Sequence, residues 1–244
     1  MAGKSRTVSL AIALVLATFN TGSTWALSDI SESGTLRRWK ETAKATAAGT
    51  KLVTLLEDTD RRIKHNSTDK KAYYTRGYLY GIIGCTSSAI HDLSRAIEID
   101  PYYSDAYTER GICFMDYKLY KKALADLDRA VELNNWSGDA RFARARLYLS
   151  MNKPYEAEHD LRALANGGAK FKPALPGELP ADYYNATHYY LGQVYERLGR
   201  RHDAVREYRA FSRASRKLAA GYLHRYSEKP DDTKSRVEKL GYRL

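Results

Sequence analysis

The sequence predicts an all-α protein built as a solenoid of helical hairpins, and three observations carry that expectation. Tyr73, Gly77, Tyr80, Ala89, Leu93, Ala96 and Pro101 recur at a 34-residue interval as Tyr107, Gly111, Phe114, Ala123, Leu127, Ala130 and Asn135. Within one period, residues 72–83 and 88–99 carry small and apolar side chains at helical spacing, with Gly84, Thr86 and Ser87 between them, the pattern of two helices joined by a turn. One hairpin cannot bury its apolar face alone, so a unit recurring at a fixed period implies stacking.

At the N-terminus, Lys4 and Arg6 precede the apolar run 8–19, and Thr24-Trp25-Ala26 fits a cleavage site. Residues 1–26 therefore read as a secretory signal peptide, with an uncleaved anchor as the alternative. The apolar run is short for a membrane span. Export to a bacterial periplasm is the expected location, with secretion or a secretory-pathway lumen as the alternative. Removing Lys4 and Arg6 leaves 38 basic and 29 acidic residues, a formal +9 in place of +11. Outside the cytoplasm that balance suits acidic proteins, anionic envelope polymers or lipid headgroups, and no nucleic-acid partner is expected.

Residues 27–69 form an N-terminal helical segment or a degenerate repeat. Leu36, Trp39, Ala43 and Ala47 share a helical stripe that Leu52, Leu55, Leu56 and Ile63 continue, and Trp39 stands one full period before Tyr73. Thr59 and Arg62 depart from the pattern. Repeats follow at about 70–103 and 104–137. In them Gly77, Ala89 and Ala96 fall where two helices must approach closely, and Pro101 stops the second helix because it has no N–H to continue the ladder. A third repeat, 138–171, keeps Ala145, Tyr148, Ala157, Leu161 and Leu164 in phase but places Arg141 where the first two have tyrosine. Pro154 sits where a helix start tolerates proline. Pro173, Pro176 and Pro180 mark an insertion at 172–184, expected as a surface excursion. The fourth repeat, 185–217, carries Gly192, Tyr195, Gly199, Ala204, Tyr208 and Phe211, with His188 in the aromatic slot. Residues 218–244 are the candidate cap for the last apolar face, through Val237, Leu240 and Tyr242 behind Asp231-Asp232.

These intervals resemble the tetratricopeptide repeat over 70–217. The resemblance implies a right-handed solenoid whose first helices line a concave groove that holds a protein segment. The positions it implies there are Lys71, Tyr74 and Tyr78 in the first repeat, then Ile112 and Met115, then Phe142 and Arg146, and finally Tyr189, Gln193 and Arg197. Such a surface offers apolar anchors and arginines for carboxylates. The carboxylate clamp of chaperone-binding members is not matched, because Tyr74, Tyr78, Glu109 and Ala143 stand at positions that would carry part of it. The resemblance implies a non-enzymatic adaptor for a protein or peptide partner, placed by its leader in the cell envelope and needing no cofactor.

A second candidate surface is charged. Arg206, Arg209, Arg213 and Arg216 are spaced three and four apart, on one helical face opposite Ala204, Tyr208, Phe211 and Leu218. A solvated face is one reading, and recognition of an acidic protein, anionic polymer or lipid is the other. Cys85 and Cys113 fall on one edge of adjacent repeats, where either a disulfide or two buried thiols fits. Asn66, Asn135 and Asn185 open glycosylation sequons that matter only in a eukaryotic secretory pathway. The six histidines are scattered, with no metal-ligand spacing. HExxH, GxSxG, P-loop and dinucleotide motifs do not occur, so no enzyme is expected.

Overall fold

The computed structural model describes residues 32–44, 47–167, 180–215 and 231–243. The proposed leader 1–26, most of the insertion and Arg216 lie outside the described residues. All regular elements among them are α-helical. In chain order these are α1 Glu32–Ala43, α2 Ala47–His65, α3 Lys70–Ile83, α4 Thr86–Ile99, α5 Ser104–Asp116, α6 Tyr120–Leu133, α7 Gly138–Ser150, α8 Pro154–Gly167, α9 Pro180–Arg197, α10 Arg201–Ser215 and α11 Asp231–Lys239. The fourth repeat begins earlier than the sequence suggested, because Pro180 opens α9 instead of belonging to the connection. A missing N–H costs nothing in a helix's first turn.

The chain divides after Leu133 into two compact units. In the first, α3 pairs with α4 and α5 with α6, α4 packs on α5, and α1 and α2 lie against α3. In the second, α7 pairs with α8 and α9 with α10, α8 packs on α9, and α11 packs on α10. Each pairing follows from its repeat positions. A Cβ built on Gly77 would meet Leu93 Cγ at 2.9 Å, and one on Gly111 would meet Leu127 Cγ at the same distance. The first and second helices of a hairpin nest only because those side chains are absent.

Each hairpin turn places one residue in the left-handed region, and these residues are also in phase. Gly84 has φ +88°, Lys118 +56°, Asn152 +56° and Gly199 +72°. Gly84, Lys118 and Asn152 are separated by one period each. Asp69 caps α3 by accepting from Ala72 N–H at 3.0 Å, and Ser137 caps α7 by accepting from Ala140 N–H at 3.2 Å.

The hairpins are also tied by a charge pair that recurs with the period. Arg76 grips Asp92 with both Nε (2.6 Å) and Nη2 (2.8 Å); Arg110 grips Asp126 (2.7 and 2.8 Å), and Arg144 grips Asp160 (2.7 and 2.7 Å). The carboxylates are buried, at 1%, 7% and 0% exposure. Signature aromatics flank the guanidinium: Tyr73 and Tyr80 lie 5.8 Å from Arg76, and Tyr107 and Phe114 lie 5.6 and 5.8 Å from Arg110. Arg76 also reaches back to Asp60 on α2 at 2.8 Å, and Arg110 to Ser94 on α4 at 3.0 Å, so the same side chain joins one hairpin to the preceding helix. In the fourth repeat Leu191 replaces the arginine, and His188 Nδ1 meets Glu207 at 2.6 Å instead.

Candidate protein-binding site

The face expected to bind a partner is made from the first helix of each hairpin, and the structure buries half of its proposed lining. Tyr74, Tyr78, Ile112, Phe142 and Tyr189 are all buried. Tyr74 packs on Tyr78 and on Tyr103, with ring centroids 6.4 and 5.1 Å apart. Phe142 meets Tyr190 edge-on at 5.1 Å. Tyr189 lies among Tyr190, Tyr208 and Phe211, and its hydroxyl meets Asp232 of α11 at 3.1 Å. All five are buried; the four aromatic side chains pack on neighbouring rings, and Tyr189 also meets the C-terminal helix. Lys71 and Arg197 are exposed, and Met115, Arg146 and Gln193 are half-buried. Arg146 sits 5.9 Å from the Tyr190 ring, and Arg197 donates to the Leu149 carbonyl oxygen.

In the first unit that same face carries a polar site. Asp105 and Glu109 are one turn apart on α5, next to Tyr74 and Tyr103. Asp105 is half-buried and pairs with no cation among the described residues. Burial first, and then the charge of Glu109, pushes its carboxyl above the usual range. The Tyr74 hydroxyl is buried and has no hydrogen-bond partner among the described residues. Burial raises it well above the ordinary tyrosine value, and the charges of Glu109 and Asp105 add to that. Tyr103 is displaced the same way, by burial and then by Asp105 and Asp100. The arrangement is a partly desolvated acidic pair beside a buried tyrosine hydroxyl, and the half-exposed Asp105 carboxyl is the group that suits an incoming ammonium or guanidinium.

The family model of the tetratricopeptide repeat matches residues 70–103. Solved structures share the fold: MamA, at 21% identity over 66% of this chain and 87% of that one with a TM-score of 0.55; TTC0263 of Thermus thermophilus, "a thermophilic TPR protein", at 17% over 86% and 98% with 0.54. YrrB, described as "a TPR protein with an unusual peptide-binding site", aligns at 16% identity over 76% of this chain and 93% of its own, with 0.54. The chain therefore shares the tetratricopeptide-repeat fold, and its first repeat matches the family model. No curated protein matches its sequence.

The remaining candidates fall as follows. Cys85 and Cys113 are both buried thiols in this structure. Cys85 is the N-cap residue just before the second helix of its hairpin, and Cys113 packs toward Gly81 and the small-residue core of the first unit. Arg206, Arg209 and Arg213 are exposed along α10. Asn135 is engaged by Arg141, and Asn185 lies within α9. Asp105 and the Arg–Asp ties escape a reading tuned to apolar and small residues. Their signal is present in the sequence, since Arg76, Arg110 and Arg144 and their aspartates recur at the same 34-residue interval.

Proposed function

We propose that this protein is a non-catalytic scaffold for protein–protein assembly that holds an extended segment of a partner along the first helices of its hairpins. A basic side chain of that segment would sit against Asp105 in the first unit. The single observation that carries this reading is the uncompensated Asp105 carboxylate beside the orphaned Tyr74 hydroxyl. A charge held at a cost to the fold serves a ligand that relieves it. The peptide-binding description of YrrB supports the same class of function. The leader-like N-terminal segment supports a location outside the cytoplasm, in the cell envelope; cell fractionation tests that location, and recovery of the chain in the cytoplasmic fraction would contradict it.

Asp105→Asn separates binding from folding. The variant keeps the shape, removes the like-charge repulsion with Glu109, and should melt at a higher temperature while losing partners captured by the wild-type chain. Wild-type capture together with unchanged or lowered stability would sink the proposal.

A further inference from the structure

The formal charge is concentrated at one end of the sequence. Residues 197–244 hold fourteen arginines and lysines against six acidic residues, a surplus of eight in a chain whose whole surplus is eleven. In the second unit three of these arginines, Arg206, Arg209 and Arg213, line an open cleft of about 510 Å³ along α10, together with Ser212, His202 and Tyr242. The three arginines are not equivalent. Arg206 is neutralised by Asp203 at 2.9 Å and Glu207 at 3.3 Å. Arg209 donates to the Arg243 carbonyl oxygen at 2.6 Å, and Arg213 to the Arg209 carbonyl oxygen at 3.2 Å. Those are neutral acceptors, and among the described residues neither guanidinium has a carboxylate partner. Each keeps donors to spare, since a guanidinium carries five N–H groups. The Tyr242 hydroxyl is fixed beside His202 at 2.9 Å, which holds the far wall in place.

We propose that this cleft is a phosphate-binding site, in which Arg209 and Arg213 clasp one phosphate group and the Ser212 hydroxyl contributes a further donor. Two guanidiniums on successive turns, neither paired with a carboxylate among the described residues, match the charge and the planar, bidentate geometry of a phosphate oxygen pair better than those of a single carboxylate. The site is concave and headgroup-sized, so it fits a phosphoryl group entering end-on, whether from a soluble phosphate ester or from a phospholipid headgroup. It belongs to the second unit and stands independently of the Asp105 reading.

Calorimetry on the full chain with inorganic pyrophosphate tests the site, alongside co-sedimentation with phosphatidylcholine vesicles with and without phosphatidylglycerol. Wild-type protein should bind pyrophosphate with an affinity that falls steeply as salt rises. Arg209→Gln combined with Arg213→Gln should weaken binding by about a hundredfold, and Arg206→Gln by less than about threefold because Asp203 and Glu207 already occupy that side chain. Arg209→Lys with Arg213→Lys keeps the charge but loses the fork, and should fall between the two. Binding to phosphatidylglycerol vesicles that pyrophosphate displaces identifies a lipid source; pyrophosphate binding without vesicle binding identifies a soluble one. Absence of binding to both probes overturns the site, as does an equal loss on Arg206→Gln. Preference for polyglutamate over pyrophosphate also overturns it, and points to an acidic protein.

Discussion

At the scale of single residues, the period is enforced by geometry as much as by hydrophobicity. Position 118 repeats the left-handed turn that Gly84 makes one period earlier, yet it holds a lysine at φ +56°. A Cβ in that region costs about 1–2 kcal/mol, partly offset by the unfolded-state freedom that glycine adds. Lys118→Gly should therefore stabilise the first unit by about 0.5–1 kcal/mol, read as a higher urea midpoint with unchanged slope. The Arg110–Asp126 tie makes the opposite test. Asp126→Ala leaves a guanidinium half-buried between Tyr107 and Phe114 with its carboxylate gone, and should cost about 3 kcal/mol. Arg110→Met with Asp126→Leu should recover most of that loss, because a buried pair is worth little over well-packed apolar residues. A double variant as unstable as Asp126→Ala would show that the tie itself, and not the stranded charge, holds the hairpin.

Among elements, α11 is held by a charge pair that stands outside the repeat pattern. Val237 is buried in the second unit's core, while Asp232 and Arg236 bind each other at 2.6 Å and reach α9 through Tyr189 and Glu196. Burial opposes the Asp232 charge, but the hydrogen bond and charge of Arg236, helped by the Tyr189 hydroxyl, outweigh it and hold the carboxyl below the usual carboxylate range. A depressed carboxylate lends stability that is complete above its unfolded value, and that stability disappears as pH falls through the folded value. Docking of α11 should hold at neutral pH and weaken below about pH 4. Val237 methyl signals in NMR report it directly: they should lose their ring-shifted positions in acid, and Asp232→Asn should show weaker docking already at neutral pH. In the hairpins the charge ties themselves recur with the period, so apolar face and tie are both set within the repeat. This difference explains why the hairpins are legible in the sequence while the covered state of Tyr189 is not. A helical stripe identifies which residues share a face, but a segment far along the chain, here the one that carries Asp232, decides whether that face is open.

Across the whole molecule, the same limit applies to the binding surfaces. The 34-residue interval makes the fold class readable because small and apolar positions answer to neighbours within one period, as Gly77 does to Leu93 and Gly111 to Leu127. Tyr74 belongs to that pattern too, but its burial against Tyr103 depends on the start of the next hairpin, so an aromatic on the correct face becomes core. Charge is distributed by a different logic. The stretch from 197 to 244 carries most of the basic excess, and a localised patch governs adsorption to an anionic surface more than the net charge does. Arg209→Glu with Arg213→Glu and Arg37→Glu with Arg38→Glu change the net charge by the same amount, and all four side chains are exposed. If the field is focused on α10, the first pair should elute from a cation exchanger at clearly lower salt than the second. Coincident elution would mean that the surface responds to total charge alone, and that Arg209 and Arg213 lie on an ordinary solvated helix face.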